Sequence, residues 1–378
     1  MGRKASFAIF LFFFLLLILE GSSYVVGKYL EKVGLFYVPE KVDGYKGYLD
    51  KRRPIVGWPS MGSFGKGNYD ITGSRIIPAF PSGKSCASLY GDSFTFGDGV
   101  SNENAWSNQL AKLLGCRVAN YGVPGYGSDQ AYLRYLINKK DDSEIVVLGH
   151  LSENILRNVN RLRGLLYVGS KYGLKPRFIY EKNSLKLIEL PELTKEEFIK
   201  LVNRPDKYLD HEYFNLGGDS GVRKLEFPYF LSLLHILKHF HIQSELKAEP
   251  WYSEFYKENH PSQGLKITTE ILSAFYRNAL AKKKKPLVLL IPTSDDLFYF
   301  RKNKVWTYQP LIDKLEGNNI AALNAGTRIL ENIGDDDICS YFQKNACNGH
   351  YNECGYKLLA ETVFSHLKNN SSSYGKFK

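Results

Sequence analysis

Ser85-Cys86-Ala87-Ser88-Leu89-Tyr90-Gly91-Asp92-Ser93-Phe94-Thr95-Phe96-Gly97-Asp98-Gly99 is the stretch that decides the fold. Its first half is small and apolar, the pattern of a short strand buried on both faces. Gly91, Asp92 and Ser93 then end the strand, and a Gly-rich turn leads towards a helical pattern. In open α/β sheets ligands bind beyond the carboxyl ends of the strands, so a serine there faces a crevice among free backbone N–H groups. Taken alone, Gly-Asp-Ser reads first as a polar βα turn in which Ser or Asp caps a helix. What shifts that balance lies downstream.

Outward from this stretch the chain alternates. Ala105 to Leu114 is amphipathic, with Gly115 placed to cap it. Arg117 to Tyr121 reads as a second strand, Asp129 to Ile137 as a helix, and Glu144 to Leu148 as a third strand. Pro286 to Pro292 is a fourth strand, Ile320 to Asn324 a weaker fifth, and Tyr356 to Lys368 a closing helix. Near-continuous apolar strands between helices predict a parallel sheet covered on both faces, a flavodoxin-like three-layer α/β/α fold with strand order 2-1-3-4-5. The gap between the third and fourth strands is too long for one crossover, so it holds an insertion of about 156–261. Inside it, Leu165 to Val168 and Arg177 to Tyr180 look β-like. A charged helix follows near Lys195 to Val202, and an apolar one at Tyr229 to Phe240. His235, His239 and His241 have no carboxylate or Cys at ligand spacing and read as surface or interface histidines rather than metal ligands.

The amino end carries Arg3 and Lys4 before an almost wholly apolar run, Ala5 to Leu19, which Tyr24, Val25 and Val26 extend past Glu20. Residues 1–27 therefore read as an uncleaved signal anchor, with a cleaved signal peptide as the alternative. Positive charge ahead of the segment holds the amino end in the cytoplasm and puts the bulk outside the cytoplasmic membrane, periplasmic, as a single-pass protein. Residues 28–84 form an irregular, Pro- and Gly-rich lead-in, 85–368 the main domain, and 369–378 a polar tail expected to be disordered. The formal net charge is +11, but the cations are spread out and no basic stripe with interleaved aromatics appears, so nucleic acid is not a partner. Of the five cysteines, Cys86 and Cys116 read as small core hydrophobes. Two of Cys339, Cys347 and Cys354 are placed to pair in an oxidising compartment. Zinc with His350 is the weaker reading, because no Cys-x2-Cys spacing is present.

Four separated pieces fall after strand ends or before the last helix. They are Gly91-Asp92-Ser93, Asn120-Tyr121-Gly122-Val123-Pro124-Gly125-Tyr126-Gly127, Gly149-His150-Leu151-Ser152-Glu153-Asn154, and Asn348-Gly349-His350-Tyr351-Asn352-Glu353-Cys354-Gly355. Their order and content resembles the SGNH, or GDSL-type, hydrolases from about Ser85 to the last helix, outside the insertion. Phe-Thr-Phe-Gly-Asp-Gly-Val after Ser93, Val-Pro-Gly-Tyr-Gly-Ser-Asp-Gln, and His260-Pro261-Ser262 look like a membrane-anchored bacterial branch. The resemblance implies Ser93 as nucleophile and His350 as its base, since a serine needs a base within hydrogen-bond reach. It implies an oxyanion hole from the Ser93 N–H, the Gly125 N–H and the Asn154 side chain. It implies no cofactor and no metal.

Two positions depart from that pattern. Ser152, Glu153 and Asn154 stand where the family carries Gly-x-Asn-Asp or a looser Asn-Asp, and a Glu there repels an oxyanion unless it turns away. Asn348 and Cys347 occupy the places of the acid that orients the base. Asn348 is then the candidate for orienting His350, with Asp335 to Asp337 as a more distant source of a carboxylate; failing both, a Ser-His pair works alone. The expected function is a serine esterase that passes through an acyl-serine on an acylated glycan or lipid outside the membrane. The alternatives are a polysaccharide O-acetyltransferase using the same pair, and a catalytically degenerate glycan-binding or assembly protein on the same scaffold.

Overall fold

A computed structural model describes residues 2–39, 44–51, 55–58, 65, 67–167, 173–343, 347 and 349–375. Its strands are β1 (Ser85–Tyr90), β2 (Arg117–Asn120), β3 (Ile145–Leu151), β4 (Arg177–Glu181), β5 (Ser184–Ile188), β6 (Lys285–Ile291) and β7 (Ala322–Asn324). The helices, in chain order, begin with α1 (Arg3–Lys32), α2 (Gly44–Lys51), α3 (Ser93–Phe96), α4 (Trp106–Leu114), α5 (Ser128–Ile137) and α6 (Asn154–Asn158). The middle of the chain adds α7 (Lys195–Asn203), α8 (Pro205–Tyr208), α9 (Tyr229–Ile236) and α10 (Phe240–Lys247). The rest are α11 (Gly264–Ala281), α12 (Ser294–Asn303), α13 (Gln309–Gly317), α14 (Ala325–Ile333), α15 (Glu353–Asn369) and α16 (Ser371–Tyr374).

Two compact units result. One comprises residues 51–159, 175–190 and 252–378 and is built on a parallel sheet of order β2-β1-β3-β6-β7. With the β4–β5 hairpin set aside, this is the expected 2-1-3-4-5 order. The chain steps one way from β1 to β2 through α4 and back across to β3 through α5. Right-handed crossovers therefore put these two helices on opposite faces. On one side α4, α14 and α15 pack together; on the other, α5, α11 and α13 do. The reversal falls between β1 and β3, and the loops that leave those strands open the crevice. All seven residues of β3 are buried, as a strand covered on both faces requires.

The other unit comprises residues 1–50, 160–174 and 191–251. The expected insertion is thus divided. Its larger part groups with the amino-terminal helices. The β4–β5 hairpin stays with the sheet unit, where Arg177 donates to the Val159 carbonyl (2.8 Å) and Phe178 packs on Tyr132. Lys182 and Asn183 turn this hairpin with positive φ, the backbone that two-residue hairpin turns need. The run expected to be β-like at Leu165 to Val168 instead ends a 3₁₀ turn at Arg163–Leu165, and Val168 lies outside the described residues. The apolar helix expected over Tyr229 to Phe240 divides at His239, whose Nδ1 accepts from the His241 N–H and caps α10 (3.3 Å). His239 is buried in that capping role, not a surface histidine as expected, and His241 stacks on Trp251.

Three further expectations change. α1 runs to Lys32, past the expected limit at residue 27, with Lys28 and Glu31 paired across its last turn. Cys86 and Cys116 are not core thiols: both are half-buried and form a disulfide, because the β1–β2 register sets Ser85 opposite Arg117. Register between parallel strands is invisible in sequence. The tail carries a helix where disorder was expected: α16 buries Tyr374, whose hydroxyl donates to the Pro286 carbonyl (3.2 Å).

Candidate active site

The turn after β1 works by dividing labour between adjacent residues. A Cβ on Gly91 would overlap the Thr95 side chain and crowd the Gly149 carbonyl, so only glycine lets the chain turn there. Asp92 is the N-cap of α3: its Oδ1 accepts from the N–H groups of Phe94 (2.9 Å) and Thr95 (3.3 Å). The capping role therefore falls to Asp92 and leaves Ser93 free of it. Neither the Ser93 N–H nor its hydroxyl has a hydrogen-bond partner among the described residues.

After β2, the Gly122 N–H is taken by Asn120 Oδ1 (3.0 Å), and Val123 N–H donates to the Gly91 carbonyl (3.0 Å). The second bond pins this loop to the serine turn. Gly125 has φ +90°, and its N–H has no acceptor among the described residues. Asn154 opens α6 beyond β3. It is fully buried, and neither its Oδ1 nor its Nδ2 has a partner among the described residues. Buried amides of this kind are rarely left unsatisfied. Ser93 N–H, Gly125 N–H and Asn154 Nδ2 are thus three uncommitted donors on loops of one sheet edge.

Arg157, one turn into α6, binds these loops together. Its Nη1 reaches Asp92 Oδ2 (3.3 Å) and the Tyr126 carbonyl (3.0 Å), and its Nη2 holds Glu153 Oε1 (2.6 Å). Burial raises the pKa of Asp92, and the Arg157 charge opposes that rise. The guanidinium also takes up the charge of Glu153. The carboxylate that threatened the oxyanion in sequence is thereby paired.

Ser152 is fixed from three directions, which sets the start of α6. Its N–H donates to the Ile291 carbonyl (3.1 Å), its carbonyl accepts from Tyr256 OH (2.5 Å), and its hydroxyl donates to Asp296 Oδ2. Because Tyr256 OH donates to Ser152, it accepts from His150 Nε2–H (3.1 Å), and His150 Nδ1 accepts from Ser128 OH (2.7 Å). Burial pushes the His150 pKa down to about 3, so this histidine stays neutral and structural. Asp296 is fully buried, and burial pushes its pKa up to about 6 against hydrogen bonds from Ser152 and the Thr293 N–H. Between about pH 4 and 6 the folded chain holds a proton that an unfolded Asp has released, so stability falls as pH rises through that window, by about 3 kcal/mol in all. Asp296→Asn keeps an acceptor for Ser152 and Thr293. It is expected to flatten that fall, measured as the denaturant midpoint against pH.

The last piece arrives by a different route. The His350 carbonyl accepts from Gln343 N–H (3.0 Å), and Tyr351 OH donates to the Pro292 carbonyl at the end of β6 (2.7 Å). Asn352 caps α15 through the Gly355 N–H (3.1 Å), and the Cys339–Cys347 disulfide closes the preceding loop, leaving Cys354 free. The His350 ring packs on Phe94, the residue after Ser93, with centroids 5.0 Å apart. His350 therefore lies at the Ser93 edge of the sheet, although no hydrogen bond joins the two side chains in this structure. Of the distant acidic run, Asp337 is spent on capping the 3₁₀ turn Ile338–Tyr341 through the Cys339 N–H (3.0 Å), and Asp335 and Asp336 are exposed. Asn348 lies outside the described residues.

Sequence reading missed Arg157 and Asp296. Arg157 sits in no local pattern that sets it apart from a helix-surface residue; Thr293-Ser294-Asp295-Asp296 does read as a capping box, in which Asp296 Oδ2 accepts from the Thr293 N–H (2.9 Å), but only the fold brings Ser152, beyond β3, against that carboxylate. The His260-Pro261-Ser262 turn gains a local role: Ser262 Oγ accepts from the Gly264 N–H at the start of α11 (3.1 Å) and is bonded to His260 Nδ1 (2.7 Å).

No family model matches the chain, and no curated protein matches it. Among solved structures it is similar to a member of the lipolytic protein G-D-S-L family from Veillonella parvula DSM 2008, at 13% identity and TM-score 0.34, over 74% of this chain and 96% of that one. It is also similar to an acetylxylan esterase from Geobacillus stearothermophilus, crystallised as a catalytic mutant, at 11% identity and TM-score 0.39, over 76% and 95%. A psychrotrophic esterase from Pseudoalteromonas sp. matches at 12% identity and TM-score 0.35, over 76% and 98%. At these identities and scores nothing about substrate or chemistry transfers to this chain.

Proposed function

We propose that the chain is a serine ester hydrolase of the SGNH type, with Ser93 as nucleophile and His350 as general base. The observation that carries this reading is the trio of uncommitted donors, Ser93 N–H, Gly125 N–H and Asn154 Nδ2, on the same sheet edge as a serine relieved of capping by Asp92. Preorganised donors without a ground-state acceptor are what a developing oxyanion needs. His350 takes the Ser93 proton as the hydroxyl attacks the ester carbonyl, and the three donors stabilise the tetrahedral oxygen. The proton then passes to the departing alcohol, and water repeats the sequence on the acyl-serine. Neither step needs a metal or cofactor.

The substrate we infer is an acyl ester on a glycan or lipid outside the cytoplasmic membrane. Two disulfides favour an oxidising compartment, and α1 is long and apolar enough to cross a bilayer, with Lys4 at its amino end. Labelling with a fluorophosphonate tests the site: adduct on Ser93, lost in Ser93→Ala, supports it, and no adduct on folded protein favours a binding protein. A panel of acylated glycans and lipids, with water or sugar as acceptor, separates hydrolase from transferase. Carbonate extraction of cells is expected to leave the full chain in the membrane pellet; a soluble form beginning near Ser22 would instead mean cleavage.

A further inference from the structure

Helix α9 wears its apolar residues outward. In Tyr229-Phe230-Leu231-Ser232-Leu233-Leu234-His235-Ile236 the one fully buried residue is Ser232, whose hydroxyl donates to the Glu226 carbonyl (2.7 Å) and accepts from the Glu226 N–H (3.2 Å). Leu231, Leu234 and Leu237 are exposed at 40, 57 and 55%, and Phe227 just ahead at 72%. A surface helix of a globular protein has the opposite pattern, and an exposed apolar patch of this kind marks a contact surface.

The neighbour of α9 indicates what covers it. α9 packs along the second half of α1: the Tyr24 and Tyr229 rings are 5.0 Å apart, Glu20 Oε2 accepts from the Tyr229 N–H (2.6 Å), and Leu225 fills the space beside Gly27. The continuous apolar run of α1 stops at Leu19, so α9 begins where that run ends. Ala5 to Leu19 rises only about 22 Å, less than the roughly 30 Å of a hydrocarbon core. Val25, Val26 and Tyr29 carry exposed apolar surface further along α1, beside α9. Next to α9 lies a groove of 360 Å³ lined by Arg204, Arg223, Lys224 and His235 and by the carboxylates of Asp206 and Glu226. Arg204 is paired with Asp206 (2.7 Å) and Lys224 with the Asn203 carbonyl. Arg223 has no hydrogen-bond or carboxylate partner for its guanidinium among the described residues, and its Nε is buried.

We propose that α9 lies in the headgroup–acyl boundary of the bilayer that α1 crosses, with its leucines inserted and the phosphate of a phospholipid held by Arg223 in the groove. Basic groups beside an apolar helix face are the combination that seats interfacial helices on anionic membranes. The proposal rests on reading α1 as a membrane anchor and is independent of the esterase chemistry.

The test uses the full chain in nanodiscs of phosphatidylcholine with phosphatidylglycerol. A Cys354→Ser background receives one cysteine with an environment-sensitive fluorophore, at Leu234→Cys, at Leu15→Cys in α1, or at the exposed control Leu246→Cys. The label at 234 is expected to be quenched several-fold more by headgroup-labelled and shallow spin-labelled lipids than the label at 246, and less by aqueous iodide. Equal access of iodide to 234 and 246 overturns the proposal. So does protection from iodide without lipid quenching, which would mean that protein covers α9. If the label at 15 escapes deep spin-labelled lipids, the anchor reading itself fails; if it is quenched while 234 is open to water, only the α9 proposal fails. Arg223→Gln is expected to reduce quenching at 234 by headgroup-labelled lipid, and unchanged quenching removes Arg223 as the phosphate ligand.

Discussion

Asn154→Leu is expected to lower the turnover of ester hydrolysis by about 10²–10³-fold, the cost of removing one oxyanion donor. KM should change little, because the lost interaction exists only in the transition state. The same substitution is expected to leave thermal stability unchanged or raised. Asn154 is fully buried, and both polar atoms of its amide lack partners among the described residues, so the folded chain bears the cost of desolvating them without return. Replacing such a group by an apolar one of similar shape is neutral or stabilising. Turnover under substrate saturation and a melting curve on one preparation measure both effects. A variant that loses stability and keeps its turnover would make Asn154 an ordinary packing residue and remove it from the proposed site.

His350→Ala is expected to abolish turnover to about the extent that Ser93→Ala does, a loss of about 10³-fold or more, because a nucleophile and its base act as a unit. In the proposed site the orientation of His350 is the weaker half of that unit, since Asn348 and Cys347 stand where the resemblance to SGNH hydrolases puts an acid. Exchanging a triad acid for its amide costs about 10⁴ in turnover, which is the ceiling for what Asn348→Asp restores. Asn348→Asp is therefore expected to raise the rate of ester hydrolysis, in turnover rather than KM, while Ser93→Ala in the same background removes it. If Asn348→Asp changes nothing and Ser93→Ala still abolishes hydrolysis, some other group orients His350. If neither substitution matters, the measured activity does not belong to this site.

Arg157 shows why some of this site was beyond sequence reading. Three loops, the farthest 65 residues from Arg157 in the chain, converge on one guanidinium: Asp92 after β1, Tyr126 after β2, and Glu153 after β3. Each loop was recognisable by its own residues. Their common partner was not, because a side chain that bridges separate loops leaves no periodicity and no spacing. Glu153 carries the same lesson. Its charge beside Asn154 looked hostile to an oxyanion, and only the position of Arg157 one turn along α6 decides that it is paired.

The sequence by itself determined the sheet, the serine turn and the long apolar helix α1. Apolar runs between amphipathic helices admit few arrangements once crossovers are right-handed, so the strand order followed from local pattern and chirality. The Gly-Asp-Ser turn was legible for the same reason: its geometry is set by contacts within a few residues. Tertiary structure alone decided what depends on register and on groups far apart in the chain. The Cys86–Cys116 bond needs the β1–β2 register, the division of the insertion needs the contacts of Arg177 and Phe178, and the helix in the tail needs a pocket for Tyr374 against β6. The outward leucines of α9 belong with these. Composition marks an apolar helix, but only packing against α1 and the inward turn of Ser232 decide which side of it meets the surroundings.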